Sequence, residues 1–200
     1  MELGVLYSGG KDSTLAALLL EEFYDVTLVT GHFGISDDWK HARETAAAMG
    51  FAFDRLELDP DVAREAAARI REDGFPRNGI QQVHRHALER LAEREYDAIA
   101  DGTRRDDRVP TVSRAQAQSL EDRHEVDYIA PLSGFGRTAV DRLVDARLEV
   151  TVGPSEEIDR ADYEAELRAI IADEYGPGVV DELFPDHTQT YVTGVRREKE

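Results

Sequence analysis

Short apolar runs alternate with longer amphipathic stretches along most of this chain. Leu3–Tyr7 ends on Ser8-Gly9-Gly10, Val26–Thr30 on Gly31, Ala98–Ala100 on Asp101-Gly102 and Tyr128–Ala130 on Pro131, with Ala52–Leu56 a weaker run of the same kind. Apolar runs of this length bounded by turn residues predict strands buried on both faces, hence parallel ones. Helical spacing fills the intervals. Asp12–Glu22 places Leu15, Leu18 and Leu19 together, and Asp37–Met49 opens with an acidic cap and ends at Gly50. Asp61–Arg71 lies between Pro60 and Gly74, and Ile80–Arg94 carries Val83, Ala87, Leu88 and Leu91. This alternation predicts an α/β fold, a doubly wound, Rossmann-like parallel sheet of five strands. A later helix over Asp162–Tyr175 has Leu167, Ile170 and Ile171 on one face and stops at Gly176-Pro177-Gly178. The expected organisation is one domain over 1–200: a core over 1–150 and a helical C-terminal extension over 151–200. The extension carries an exposed segment at Asp186–Thr190 and a charged end at Arg196–Glu200.

Composition narrows the chemistry. A chain of 200 residues holds one full core and not two ordinary ones. It has no cysteine, which excludes disulfide frameworks, thiolate zinc sites, iron–sulfur clusters and cysteine nucleophiles. Its net charge is −18, from 24 Lys+Arg against 42 Asp+Glu. That argues against a general nucleic-acid coat, which works by neutralising phosphates, and leaves only a local basic patch for such a partner. Few lysines among many acids resembles proteins of high-salt interiors. No apolar run approaches the roughly 18 residues of a membrane span. The N-terminus enters the first strand without a basic leader, so no membrane contact and a cytoplasmic location are expected.

The strongest signal follows the first run. Ser8-Gly9-Gly10-Lys11-Asp12-Ser13 combines two glycines, two hydroxyls and the start of a helix. The glycines let the backbone turn its N–H groups onto an anion, and the helix start adds the positive end of its dipole. The result is a phosphate cradle, with an ordinary Ser/Gly strand-to-helix turn as the alternative. It is not the usual P-loop, which needs Ser or Thr after its lysine, where this chain has Asp12.

The pattern S-G-G-x-D-S after a first strand resembles the PP-loop of the N-type ATP pyrophosphatases, adenine nucleotide alpha hydrolase-like proteins that cleave ATP between its α- and β-phosphates. The resemblance spans Leu3–Val144. It looks most like small archaeal PP-loop proteins described as predicted subunits of tRNA-modifying enzymes. Gly74–Gln81, Gly102–Pro110 and Asp186–Gly194 look like that group. The resemblance implies ATP and Mg²⁺ as cofactors, with Ser8, Gly9, Gly10, Lys11, Asp12 and Ser13 on the phosphates. Gly102-Thr103 followed by Asp106 and Asp107 is similar to a second signature whose acid helps hold Mg²⁺. Asp107 is the first candidate and Asp106 the second, against solvation or pairing with Arg104, Arg105 or Arg108. Such a hard cation takes one or two carboxylates plus phosphate and water oxygens. Pro131-Leu132 followed by Arg137 is similar to a third feature, a basic residue reaching the phosphates, with Arg in place of the commoner Lys. Asp12 and Arg137 are thus the catalytic candidates. Thr30, Gly31 and Phe33, after the second run, are implied to meet the adenine, with a structural turn as the alternative.

The implied mechanism has two steps. A substrate oxygen attacks the α-phosphorus and pyrophosphate leaves. A nitrogen or sulfur nucleophile then displaces AMP. A tRNA base is the implied acceptor. Asn78 and Gln81 stand where some thiolating relatives carry C-x-x-C, so sulfur or ammonia must come from solution or a partner protein. A homodimer is compatible with this picture. The alternative is a nucleotide-sensing or accessory ATP-binding subunit without complete chemistry of its own. Arg104, Arg105, Arg108 and Arg114 are candidates for ATP phosphates or an RNA backbone, or for ion pairs with Asp101, Asp106, Asp107, Glu121 and Asp122. His84 and His86 lie two apart, which puts them on different helix faces and suits no single metal. Trp39 and Phe33 stack on a base or pack in the core. His32 reads as a loop or packing histidine rather than a catalyst, and Asp186-His187 as structural.

Overall fold

In the computed structural model, residues 1–154, 161–185 and 188–196 are described. The five apolar runs form one sheet: β1 (Glu2–Leu6), β2 (Asp25–His32), β3 (Ala52–Glu57), β4 (Ala98–Ala100) and β5 (Asp127–Ile129). Their order is β3-β2-β1-β4-β5, and every neighbouring pair is parallel. The sheet is the expected doubly wound one.

Alternation along the strands divides the core between two faces. Leu3, Val5, Leu28, Ala98 and Ala100 face α1 (Lys11–Leu20), α2 (Trp39–Met49) and α6 (Arg137–Arg147). Leu6, Val29, Leu56 and Ile99 face α3 (Pro60–Asp73), α4 (Arg77–Ala92), α7 (Tyr163–Tyr175) and α8 (Pro177–Leu183). The remaining helix, α5 (Arg114–His124), had no apolar periodicity to announce it. It buries only Leu120, and it is started by a capping box between Ser113 and Gln116.

Two expectations change. The acidic residues before α2 do not cap it, since Asp38 makes no side-chain capping bond and accepts instead from Ser36 Oγ at 2.8 Å. The C-terminal extension holds its two helices and also an antiparallel ribbon of β6 (Leu148–Pro154) with β7 (Thr188–Val195). Thr188–Thr190 of the segment expected to be exposed are therefore strand residues. Asp186 and His187, and residues 197–200 of the charged end, lie outside the described residues.

The strand order reverses between β1 and β4. In open α/β sheets that switch point opens a crevice beyond the carboxyl ends of the two strands. The loops entering it are Ser8–Gly10 and the segment from Asp101.

Candidate functional site

The loop after β1 is built around Gly9, whose φ of +80° suits glycine and strains other residues. Ser13 Oγ closes the turn. It donates to the Gly10 carbonyl at 3.2 Å and accepts from the Ser8 N–H at 3.4 Å. Gly10 is the N-cap of α1 in extended conformation and offers no side chain, so no side-chain bond caps the helix start. Gly102 packs onto that start. A Cβ there would lie 2.5 Å from the Ser13 nitrogen and 2.7 Å from the Asp12 carbonyl carbon. The glycine of the second signature is thus required by close approach of two backbones.

The loop's open side is a polar cavity of about 340 Å³. Ser8, Gly10, Lys11, Asp12 and Ser13 enter it from the loop, Arg104 from the segment after β4, and Arg137 and Asp141 from α6. Thr188, Gln189 and Thr190 close it from β7. Lys11 Nζ pairs with Asp12 Oδ1 at 2.8 Å. Arg104 lies among three carboxylates, 3.6 Å from Asp12, 3.7 Å from Asp106 and 3.2 Å from Asp107. Its backbone N–H also donates to Asp107 at 2.7 Å. Burial works against the charge of Arg104, but the three carboxylates outweigh it and hold the guanidinium protonated. Burial raises the Asp107 carboxyl above its ordinary range, although Arg104 opposes the shift. Asp12, Asp106 and Asp107 are therefore brought together around one cation. Among the described residues no three His, Asp or Glu side chains group as a ready metal site. Mg²⁺ is normally completed by phosphate and water; of these carboxylates Asp12 lines both the polar cavity and an adjoining cleft, Asp107 the cleft, and Asp106 neither.

On the other side of Asp12 and Ser13 lies a larger cleft of about 600 Å³, and Gln189 lines both spaces. Its walls are largely apolar, with Pro76, Ile80, Val109, Pro110, Tyr163 and Phe184 among them, and Asp107 and Arg108 at one edge. His84, Asp101 and Thr103 also line it. Asp101 was foreseen only as a partner for arginine. It is 1% exposed and accepts from His84 Nε2 at 2.9 Å, Thr103 N at 2.9 Å, Thr103 Oγ1 at 2.7 Å and Tyr128 Oη at 3.0 Å. Burial pushes its carboxyl up, but the bonds from His84 and Thr103 prevail and hold it below the usual carboxylate range. Burial, with Asp101 nearby, raises the phenols of Tyr128 and Tyr163.

The β2 edge opens on a third, smaller space that shares Ala161 and Asp162 with the apolar cleft. Thr30 is buried, with its hydroxyl donated to the Tyr7 carbonyl at 2.8 Å. Gly31 and Thr30 line a space of only about 10 Å³. Phe33 is in the core, and its N–H is taken at 2.9 Å by Glu166 of α7, which also accepts from Ile35 and Ser36. Trp39 is half-buried, with Arg55 4.3 Å and Arg43 5.2 Å from its ring centre. His86 points away from His84 and accepts the Asp59 N–H. Arg105, Arg108 and Arg114 are exposed.

The fold and site define a doubly wound α/β protein with a glycine-bounded strand-to-helix turn at its switch point. More particularly, the chain belongs to a family of unknown function, DUF7411, whose model matches residues 1–194. An uncharacterised protein of Methanocaldococcus jannaschii is 42% identical over 199 residues, 99% of this chain and 98% of its own length. A crystal structure from that organism, of a predicted subunit of a tRNA methyltransferase, superposes with a TM-score of 0.89 at 40% identity, covering 100% of both chains. A U34-tRNA thiolase of Methanococcus maripaludis with an iron–sulfur cluster superposes distantly, with a TM-score of 0.46 at 16% identity over 90% of this chain and 69% of its own. No helix among the described residues is long and apolar enough to cross a membrane.

Proposed function

We propose that this chain is an ATP-cleaving enzyme of the PP-loop type. It transfers AMP to an acceptor oxygen, releases pyrophosphate, and presents the adenylated acceptor, a tRNA base, to a nucleophile. The observation that carries this reading is the polar cavity. In a chain of net charge −18, its walls bring together Lys11 and Arg137 at the N-termini of α1 and α6, neither capped by a side chain, and Arg104, which Asp12, Asp106 and Asp107 hold in place. Basic side chains beside two helix N-termini without side-chain caps suit a polyphosphate. Ser8, the Gly9–Gly10 backbone, Lys11 and Ser13 grip the departing pyrophosphate, and Arg137 neutralises the charge that builds on it. Asp107, with Asp106, would hold Mg²⁺, which would supply polarisation of the phosphate oxygens when bound. The adjoining cleft, apolar and large enough for a planar base, is the acceptor's place.

Incubation with α-labelled ATP, Mg²⁺ and total tRNA should yield AMP and pyrophosphate. Release of ADP and phosphate would overturn the assignment. A second reading, an accessory nucleotide-binding subunit, is favoured by the name of the 40% identical relative, a predicted subunit of a tRNA methyltransferase. Tight ATP binding without turnover until a partner protein is added would select it.

A further inference from the structure

His84 and Asp101 make a second chemical centre, outside the cradle but facing the same cleft. His84 sits on α4 and Asp101 just past the end of β4, yet their side chains meet at 2.9 Å and are 5% and 1% exposed. The other groups on Asp101 are neutral donors, the Thr103 N–H and hydroxyl and the Tyr128 phenol. A buried carboxylate supplied in this way fixes the orientation and tautomer of the imidazole beside it. An ionised carboxylate only accepts, so Nε2 carries the proton in this bond and Nδ1 keeps its lone pair. Among the described residues Nδ1 makes no hydrogen bond. The Tyr163 ring packs edge-on at 6.2 Å. Ser8, Asp12 and Ser13 of the cradle border the same cleft.

The second half of the proposed reaction needs such a group only for one kind of nucleophile. Ammonia attacks as a neutral molecule and leaves its nitrogen positively charged. Unless that nitrogen loses a proton, it is expelled in preference to AMP. Hydrosulfide attacks as an anion and needs no base. We propose that His84, oriented by Asp101, accepts a proton from an ammonia-type nucleophile bound in this cleft. The inference rests on the adenylation reading above and specifies its second step. The nitrogen–carbon bond forms, the carbon–oxygen bond to the α-phosphate breaks, and AMP departs with the electron pair. The proton goes to Nδ1 and from there to solvent. Zero cysteine agrees with this choice, since no side chain of the protein can carry sulfur as a thiolate or persulfide.

The experiment uses the intact protein, α-labelled ATP, Mg²⁺ and total tRNA from cells lacking the gene, with ammonium chloride or sodium sulfide added. Wild type with ammonium should release labelled AMP. His84→Gln should still adenylate, so label accumulates on tRNA, while AMP release falls about a hundredfold, the scale of lost acid–base assistance. Asp101→Asn should show the same trapping. Calorimetric ATP binding and thermal unfolding of each variant separate this from a lost fold. Nitrogen-15 spectra of the wild-type imidazole should place the proton on Nε2, and a proton held on Nδ1 overturns the proposal whatever the variants do. Equal AMP release by His84→Gln, or turnover with sulfide but not ammonium, also overturns it and leaves adenylation intact. No AMP from wild type with either nucleophile overturns the adenylation reading, and this inference with it.

Discussion

At Gly102 the two signature loops touch through backbone alone, so Gly102→Ala is the sharpest residue-level test. Its Cβ would lie 2.5 Å from the Ser13 nitrogen and 2.8 Å from Ser13 Cα, and backbone cannot rotate aside as a side chain does. Overpacking of this kind costs about 1–3 kcal/mol, read as a lower denaturation midpoint, and ATP affinity should fall with it. Unchanged affinity in calorimetry would mean the two loops act separately. The three acids around Arg104 should divide. Asp12→Ala removes a partner of both Lys11 and Arg104 at the cradle and should weaken ATP binding itself. Asp107→Ala should leave metal-free nucleotide binding largely intact while turnover drops about a hundred- to a thousandfold, roughly 2–4 kcal/mol of charge stabilisation. Normal turnover in Asp107→Ala with loss in Asp106→Ala would exchange the two acids. The Ser8–Ser13 turn was legible in the sequence because its residues are contiguous and glycine's conformational freedom is local. The His84–Asp101 bond was not. It joins positions 17 apart on different elements, and neither residue stands in a pattern that reveals its partner.

Elements are held in register here by carboxylates that reach far along the chain. Glu166 of α7, 4% exposed, accepts the N–H groups of Phe33 at 2.9 Å and Ile35 at 3.0 Å, about 130 positions away. Glu166→Ala would leave those donors unmet, and bonds to a charged acceptor contribute about 1.5–3 kcal/mol each. A fall in the denaturation midpoint, with faster amide exchange at Phe33 and Ile35, is expected. A local change at α7 with Phe33 still protected would refute the clamp. Helices α4 and α5 are tied by Glu89, which accepts from Arg123 at 2.6 and 2.9 Å and lies 3.0 Å from His124 Nε2. Burial would raise the Glu89 carboxyl, but the bonds from Arg123 and His124 prevail and lower it. A carboxylate depressed in the folded state adds stability above its unfolded pKa, about 4.3, and loses it as pH falls through the folded value. Glu89→Gln should therefore unfold earlier than wild type near neutrality, and the gap should close in acid. A gap constant with pH would assign Glu89 a packing role. Strands and most helices were legible because apolar periodicity is local. The β6·β7 ribbon escaped because its strands are separated by two helices and its exposed residues break the alternation.

Across the whole molecule, the last strand returns to the first loop. Val192 N donates to the Gly9 carbonyl at 3.1 Å, and Gly10 bridges to Tyr191. The Tyr191 ring backs the cradle so closely that a Cβ on Gly9 would lie 3.0 Å from it. Its hydroxyl donates to the His41 carbonyl at 2.8 Å and meets Thr45, which anchors the strand to α2. The C-terminal ribbon thus backs the loop proposed to hold phosphate, although that loop lies at the other end of the chain. Two substitutions divide its roles. Tyr191→Phe loses the anchor and keeps the ring, so stability should drop by about 0.5–1.5 kcal/mol, the net worth of an ordinary hydrogen bond, with ATP affinity unchanged. Tyr191→Ala also removes the backing of Gly9 and lets the loop relax away from its left-handed turn. ATP affinity should then fall about tenfold, equivalent to roughly 1.4 kcal/mol, beyond any change seen in Tyr191→Phe. Thermal unfolding and calorimetric titration with ATP measure the two effects separately. If Tyr191→Ala is less stable yet binds ATP as wild type does, the ribbon only covers the core, and the loop holds its shape from Ser8 and Ser13 alone.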